Sequence, residues 1–217
     1  MSTLDGAMRS DQVAARILVD TGAVSFRTAP FFRFTSGVES PIYVDNRRLL
    51  GFTGERRTLV AHLIRAMLRD EADVPDAVAG TATAGIAWAA WIADRLDLPM
   101  LYVRSSAKEH GQERAVEGSA PAGADVCVVE DLAFTARSLV TAGEQLRAAG
   151  YTVRTALTLV TYDTPVARAV LENADIRHIS LTTIDHALAA AVSRGALDNA
   201  QAAVVEAWLG EQRKERS

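Results

Sequence analysis

Cysteine is almost missing from this chain: Cys127 is the only one in 217 residues. A lone thiol excludes an internal disulfide and a multi-cysteine metal cluster. It stands among valines, where it reads as a small core residue rather than a reactive nucleophile. Long apolar runs are missing as well. No stretch approaches the ~18 residues of a membrane span, and the N-terminus shows no basic-then-apolar leader. A cytoplasmic protein without a membrane partner is therefore expected. Charge of one sign is also scarce, and a net −4 offers no electrostatic footprint for nucleic acid. Histidine is limited to four residues. His62 reads as a surface or satisfied side chain, and His178 and His186 lack partners at metal-ligand spacing, so no zinc site is expected.

What is present is ordinary material for an α/β domain. Apolar residues make up 49% and charged residues 23%, enough to bury a substantial core. Apolar runs alternate with helical three-and-four spacing along most of the chain. Strands are expected at 77–80, 100–104, 126–129, 152–161 and 179–183. Helices are expected at 10–22, from Thr53 through Leu68, and at 85–96, 136–149, 165–172, 185–193 and 197–213. That alternation predicts a mostly parallel central sheet flanked by helices. Residues 31–45 hold short extended pieces broken by Ser36-Gly37 and Ser40-Pro41, and read as a small N-terminal hood. The whole chain, 1–217, is expected to be a single domain, with 1–50 supplying the N-terminal helix and hood. Trp88 and Trp91, three apart on a helix, read as core or dimer contacts.

The most informative segment is Val126-Cys-Val-Val-Glu-Asp-Leu-Ala-Phe-Thr-Ala-Arg-Ser138. Four apolar residues make a buried strand, Glu130 and Asp131 follow, and a hydroxyl-bearing turn leads into a helix. Strand, paired acids, turn and helix is how a parallel sheet builds a sugar-phosphate site at its carboxyl edge. A second loop, Gly80-Thr-Ala-Thr-Ala-Gly85, joins a strand to a helix through small residues that let backbone N–H groups approach an anion. A third, running from Arg104 to Gly118, has little to anchor it and is long for a connection inside a compact domain. Arg104, Lys108 and His110 could face an anion there. A solvated surface loop remains open on these residues alone, because Glu109, Glu113 and Glu117 nearly cancel the charge. Beside an acidic sugar-type site, a lid is the stronger reading.

Taken in order, these segments resemble the type I phosphoribosyltransferases, and most closely their orotate branch. The resemblance runs from Phe31 to Asp163. Phe32-Arg-Phe-Thr-Ser-Gly-Val-Glu-Ser-Pro-Ile-Tyr-Val-Asp45 is similar to the hood signature. Gly80–Gly85 is similar to the pyrophosphate loop, Tyr102–Gly111 to the catalytic lid, and Val128–Asp131 to the diphosphate-sugar motif.

The resemblance implies that a nitrogen base, orotate in that branch, displaces pyrophosphate from 5-phosphoribosyl-1-pyrophosphate (PRPP), with Mg2+ on the diphosphate. It implies catalytic roles for Arg104, Lys108, His110 and Asp131. PRPP would meet Thr83, Ala84, Gly85, Arg104, Ser105, Lys108, His110, Glu130 and Asp131, and a phosphate cradle of Phe134, Thr135, Ala136, Arg137 and Ser138. Thr35, Tyr43 and Thr164 would border the base. No dedicated protein cage for the metal is implied, and a homodimer sharing its lids is. The chain departs from the pattern at four places. Phe134 replaces a threonine, Ala136 a glycine, Ser105 a basic residue, and Thr164 an arginine that binds the pyrimidine. Arg137 and Arg168 are the candidates to compensate. A transferase for another base, or a non-catalytic PRPP-binding paralogue, is the alternative that these departures leave open.

Overall fold

The structure, a computed structural model, describes residues 9–34, 37, 39–69, 74–105 and 115–214. Its elements in chain order are α1 (Ser10–Asp20), β1 (Val24–Phe26), β2 (Phe32–Arg33), β3 (Glu39–Ser40), β4 (Ile42–Val44), α2 (Thr53–Met67), β5 (Ala77–Thr81), α3 (Ala84–Leu96), β6 (Met100–Val103), β7 (Val116–Gly118), β8 (Val126–Ala133), α4 (Arg137–Ala148), β9 (Thr155–Thr161), α5 (Pro165–Asn173), β10 (Arg177–Thr183), α6 (Ile184–Ser193) and α7 (Asn199–Lys214). A 3-10 turn, Asn46–Gly51, precedes α2. The chain divides into two compact units, Met1–Arg56 with Thr182–Ser217, and Arg57–Leu181.

The central unit is built on a six-stranded sheet in the order β10-β9-β8-β5-β6-β7. β5 pairs in parallel with both β6 and β8, and β8 pairs in parallel with β9. From β5 the chain first steps to β6 on one side, then crosses to β8 on the other. Strand order therefore reverses between β5 and β8, and a crevice opens at their carboxyl ends. The mostly parallel architecture expected from the sequence is what folds.

Burial explains the elements. All of Ala77–Thr81 and Val126–Val129 is buried, as expected of strands covered on both faces. Helix α4 turns Leu139, Ala142, Gly143 and Leu146 inward at helical spacing. Leu139, Ala142 and Leu146 join Val126, Val128, Leu101 and Val103 in the core. Cys127 is buried, and desolvation pushes its thiol up to about 12, so the lone cysteine is an inert core residue. Trp88 is buried too, with its ring edge-on to Trp91 at 5.3 Å.

Three features differ from the sequence reading. Strand β8 does not stop at Val129 but continues to Ala133, because β9 keeps pairing with it as far as Thr161. β7, absent from the sequence reading, pairs antiparallel with β6 at the sheet edge. The hood segment holds two nested pairs and starts earlier than residue 31: β2 pairs with β3, while the unforeseen β1 pairs with β4.

The terminal unit is held by long-range polar contacts. Thr182 Oγ1 donates to the Asp11 carbonyl at 2.9 Å, and Arg194 Nε meets Asp20 at the same distance. They tie the end of β10 and the C-cap of α6 to α1.

Candidate active site

The extension of β8 changes how the two acids stand. Glu130 and Asp131 are consecutive strand residues, so their side chains leave opposite faces of the sheet. Glu130 is the one that reaches α4: Ser138 Oγ donates to its Oε2 at 2.7 Å. Burial raises the Glu130 carboxyl to about 7, and the neighbouring Asp131 charge adds to the rise. Hydrogen bonds from Ser138 and Thr81 act in the opposite direction. A carboxyl group poised near neutrality in the carboxyl half of a central strand marks a functional candidate.

The Gly80–Gly85 loop lies beside it, and close packing dictates its glycines. A Cβ on Gly85 would stand 2.3 Å from the Val129 carbonyl oxygen and 2.7 Å from Thr81 Oγ1. A Cβ on Gly80 would stand 2.7 Å from the Gly85 carbonyl oxygen. The start of α3 is thereby pressed against the ends of β5 and β8. The Ala82-Thr83 peptide is cis, Thr83 is exposed, and Ala84 and Gly85 open the helix. The first N–H groups of a helix have no partner within it, so this end offers donors to an anion.

The turn after β8 leads into a second helix start on β8, that of α4. Ala136 is buried with φ +56°, a left-handed backbone at the position where the resemblance implies glycine. The unusual residue therefore keeps the glycine-like conformation. Phe134 is half-buried, with its ring edge-on to Tyr162 at 4.8 Å and 89°. That ring supplies aromatic packing where the family has a hydroxyl. Thr135 is half-buried, while Arg137 and Ser138 are exposed on the first turn of α4.

Arg104 follows β6, its N–H donating to the Ala115 carbonyl and its Nη1 lying 3.5 Å from Glu117 Oε1. Ser105 beside it is exposed. Lys108, His110 and Thr35 lie outside the described residues. Tyr43 is on β4 in the terminal unit, its ring 5.5 Å from Phe32 and 6.0 Å from Phe34.

Thr164 is a helix cap in the structure. Its hydroxyl accepts from the Ala167 N–H at 3.1 Å and donates to the Phe134 carbonyl at 2.9 Å. The residue is 4% exposed. Arg168, the candidate to replace the missing arginine, is exposed and bonds Asp163 through both Nε and Nη2. Thr164→Val is expected to cost about 1–2 kcal/mol in thermal unfolding, with Thr164→Ser recovering most of it. An unchanged melting temperature would show that the cap carries no weight.

Sequence reasoning named Glu130, Asp131 and the two loops, but it passed over Thr81. The signal was there, a threonine between a strand and a glycine loop. Only the register of β5 against β8 places it next to Glu130, with Gly80 opposite Val129.

Comparison with known proteins agrees with this geometry. Residues 54–191 match the family described as phosphoribosyl transferase domain. The orotate phosphoribosyltransferase of Coxiella burnetii is 38% identical over 194 residues, 89% of this chain and 92% of that protein. The Bacillus anthracis protein of the same name is 39% identical over 88% of this chain and 90% of its own. Among solved structures, orotate phosphoribosyltransferase from Aeropyrum pernix superposes with a TM-score of 0.72 at 36% identity, over 85% of this chain and 99% of its own. Leishmania donovani UMP synthase superposes at 0.78 and 27% identity over 94% of this chain, which spans 43% of that longer protein. With the crevice at the strand switch and relatives aligned along most of its length, this chain belongs to the phosphoribosyl transferase domain family.

Proposed function

We propose that the chain is an orotate phosphoribosyltransferase, transferring the 5-phosphoribosyl group of PRPP to orotate and releasing pyrophosphate, a step of pyrimidine nucleotide synthesis. The observation that carries the reading is the meeting of Glu130 with the Gly80–Gly85 loop at the strand switch. The names of the aligned relatives supply the base. In the reaction the bond from the ribosyl carbon to pyrophosphate breaks as a bond to the base nitrogen forms. Positive charge grows on the sugar and negative charge on the leaving group, so catalysis rests on electrostatic placement.

The residues divide that task. Glu130 accepts hydrogen bonds from the ribose hydroxyls and favours cationic character on the ring, while Asp131, leaving the other face of β8, adds its negative charge to that end of the site. Thr83, Ala84 and Gly85 present helix-end N–H groups to the pyrophosphate. Thr135, Ser138 and the first N–H groups of α4, with Arg137 beside them, receive the 5-phosphate. Arg104, Lys108 and His110 complete the pyrophosphate clamp from the lid, excluding water when it closes. Magnesium fits this donor set, since it takes one or two carboxylates and substrate phosphates rather than an all-protein cage. The backbone around Thr83–Gly85 would hold it together with the diphosphate, and it would neutralise leaving-group charge. We read the whole chain as one catalytic domain, a cytoplasmic homodimer in which each lid serves the partner's site. Among the described residues, no helix is long and apolar enough to cross a membrane.

The test is orotate consumption by the purified protein with PRPP and Mg2+, followed in the ultraviolet. Turnover is expected, and Lys108→Ala should lower kcat by about 10²–10³-fold while moving the PRPP dissociation constant far less. PRPP binding without orotate consumption would favour another base, the reading that the capping role of Thr164 supports.

A further inference from the structure

We propose that Thr164 is a positioning residue for the 5-phosphate turn: its hydroxyl holds the Phe134 carbonyl and thereby aims the Thr135 N–H at the substrate's phosphate. The proposal rests on the phosphoribosyl-transfer reading above and adds a role for this residue to it. The segment from β9 into α5 grips the start of the turn at two successive carbonyls. The Ala133 carbonyl accepts from the Tyr162 N–H at 2.9 Å and from the Thr161 hydroxyl at 3.2 Å. The Phe134 carbonyl accepts from the Thr164 hydroxyl at 2.9 Å. The Phe134 ring is held as well, edge-on to Tyr162, which is 7% exposed. Thr161 pairs with Ala133 in register, so the grip begins where sheet pairing ends.

Peptide geometry carries that grip across the turn. In a trans peptide the carbonyl and the following N–H point in opposite directions. The cis bonds among the described residues are Ala29-Pro30 and Ala82-Thr83, so the Phe134-Thr135 bond is trans. Fixing the Phe134 carbonyl toward the start of α5 therefore turns the Thr135 N–H to the other side. Among the described residues, that N–H donates to no backbone carbonyl.

The next residue explains why the turn needs an outside anchor. Ala136 follows with φ +56°, and α4 begins at Arg137. A left-handed residue in a turn lets successive N–H groups converge on an anion. Alanine resists that conformation where glycine would not, so surrounding contacts must hold it. Thr164 is suited to supply one. Its hydroxyl accepts from the Ala167 N–H at 3.1 Å, which leaves its single proton to the Phe134 carbonyl. One side chain thus caps α5 and fixes the turn that opens α4.

The experiment uses the full-length protein with Thr164→Val and Thr164→Ser. Thr183→Val is the control, since it removes a cap of the same kind from α6, where the hydroxyl accepts from the His186 N–H at 3.2 Å. Binding of ribose 5-phosphate, and of pyrophosphate with Mg2+, is measured by calorimetry. Thr164→Val should weaken ribose 5-phosphate binding by about 3–10-fold, the worth of one hydrogen bond. Pyrophosphate affinity should hold, because the Gly80–Gly85 loop binds it, and Thr164→Ser should behave as wild type. Thr183→Val should lower the melting temperature and leave both affinities unchanged. In NMR, ribose 5-phosphate should shift the Thr135 amide proton downfield in wild type and less in Thr164→Val. If the valine variant does not fold, Thr164→Ala takes its place. Equal ribose 5-phosphate affinity in wild type and the hydroxyl-free variant overturns the proposal, as does an equal loss for pyrophosphate. A wild type that binds ribose 5-phosphate yet consumes no orotate overturns the transfer reading, and the affinity comparison still decides the role of Thr164. A wild type without affinity for ribose 5-phosphate overturns both.

Discussion

Glu130→Gln should lower kcat/KM by about 10²–10³-fold and at the same time stabilise the ligand-free protein above neutral pH. The loss of activity follows from charge. Glutamine keeps the shape and accepts the Ser138 hydroxyl, but it offers no negative charge to a ring becoming cationic. The gain in stability follows from linkage. Folding raises the Glu130 carboxyl from 4.5 to about 7, so the native state holds its proton over a range where the unfolded chain has lost it. The wild type therefore has its full stability below about pH 4.5. It loses part of it as pH rises through the folded value, and the loss is complete a little above pH 7. For a partly exposed carboxyl group, screening reduces that loss to about 1–2 kcal/mol. Chemical denaturation at pH 5 and pH 8 measures it. The variant and wild type should converge at the lower pH, with the variant ahead at the higher. Parallel stabilities across that range would mean that Glu130 is ionised without penalty.

Gly85→Ala should be the most damaging small substitution in the central unit. The new methyl would lie 2.3 Å from the Val129 carbonyl oxygen, 2.7 Å from Thr81 Oγ1 and 3.2 Å from the Glu130 Cα. Two of those atoms are backbone of β8, a strand paired on both sides, so no flexible side chain can give way. Relief requires α3 to lift from the sheet, at about 2–4 kcal/mol. Thermal unfolding should register that cost, and pyrophosphate binding should weaken as the helix end moves. Gly210→Ala is the control. It lies on α7 with nothing within 4 Å of its Cβ, and the better helix former should be neutral or stabilising by about 0.5–1 kcal/mol. Equal melting temperatures for Gly85→Ala and wild type would remove close packing as the reason for this glycine.

Much of the central unit was legible because its signals are local. Val126–Val129 reads as a buried strand from four apolar residues, and α4 reads from the spacing of Leu139, Ala142 and Leu146. The two loops were legible for the same reason, since glycine and small residues between a strand and a helix have few other uses. The end of β8 was not. A pair of acids looks like the end of a strand, yet β9 supplies pairing partners past Glu130 as far as Ala133. The cap at Thr164 was not legible either, because one partner of its hydroxyl, the Phe134 carbonyl, lies 30 residues away in the chain, the other being the Ala167 N–H.

The sequence by itself determined the alternation of strands and helices, the inert cysteine, and the acids and small-residue loops that point to a phosphoribosyl site. Those properties belong to single residues or short windows, where backbone preference and burial are set by near neighbours. Tertiary structure decided the rest. Only the pairing of β5 with β8 sets Thr81 beside Glu130, and only the crossing of the chain between them brings both loops to one crevice. It also decided that adjacent acids face opposite ways, and that one of them holds its proton near neutrality. Register and desolvation arise between segments far apart in the chain, so no local window contains them.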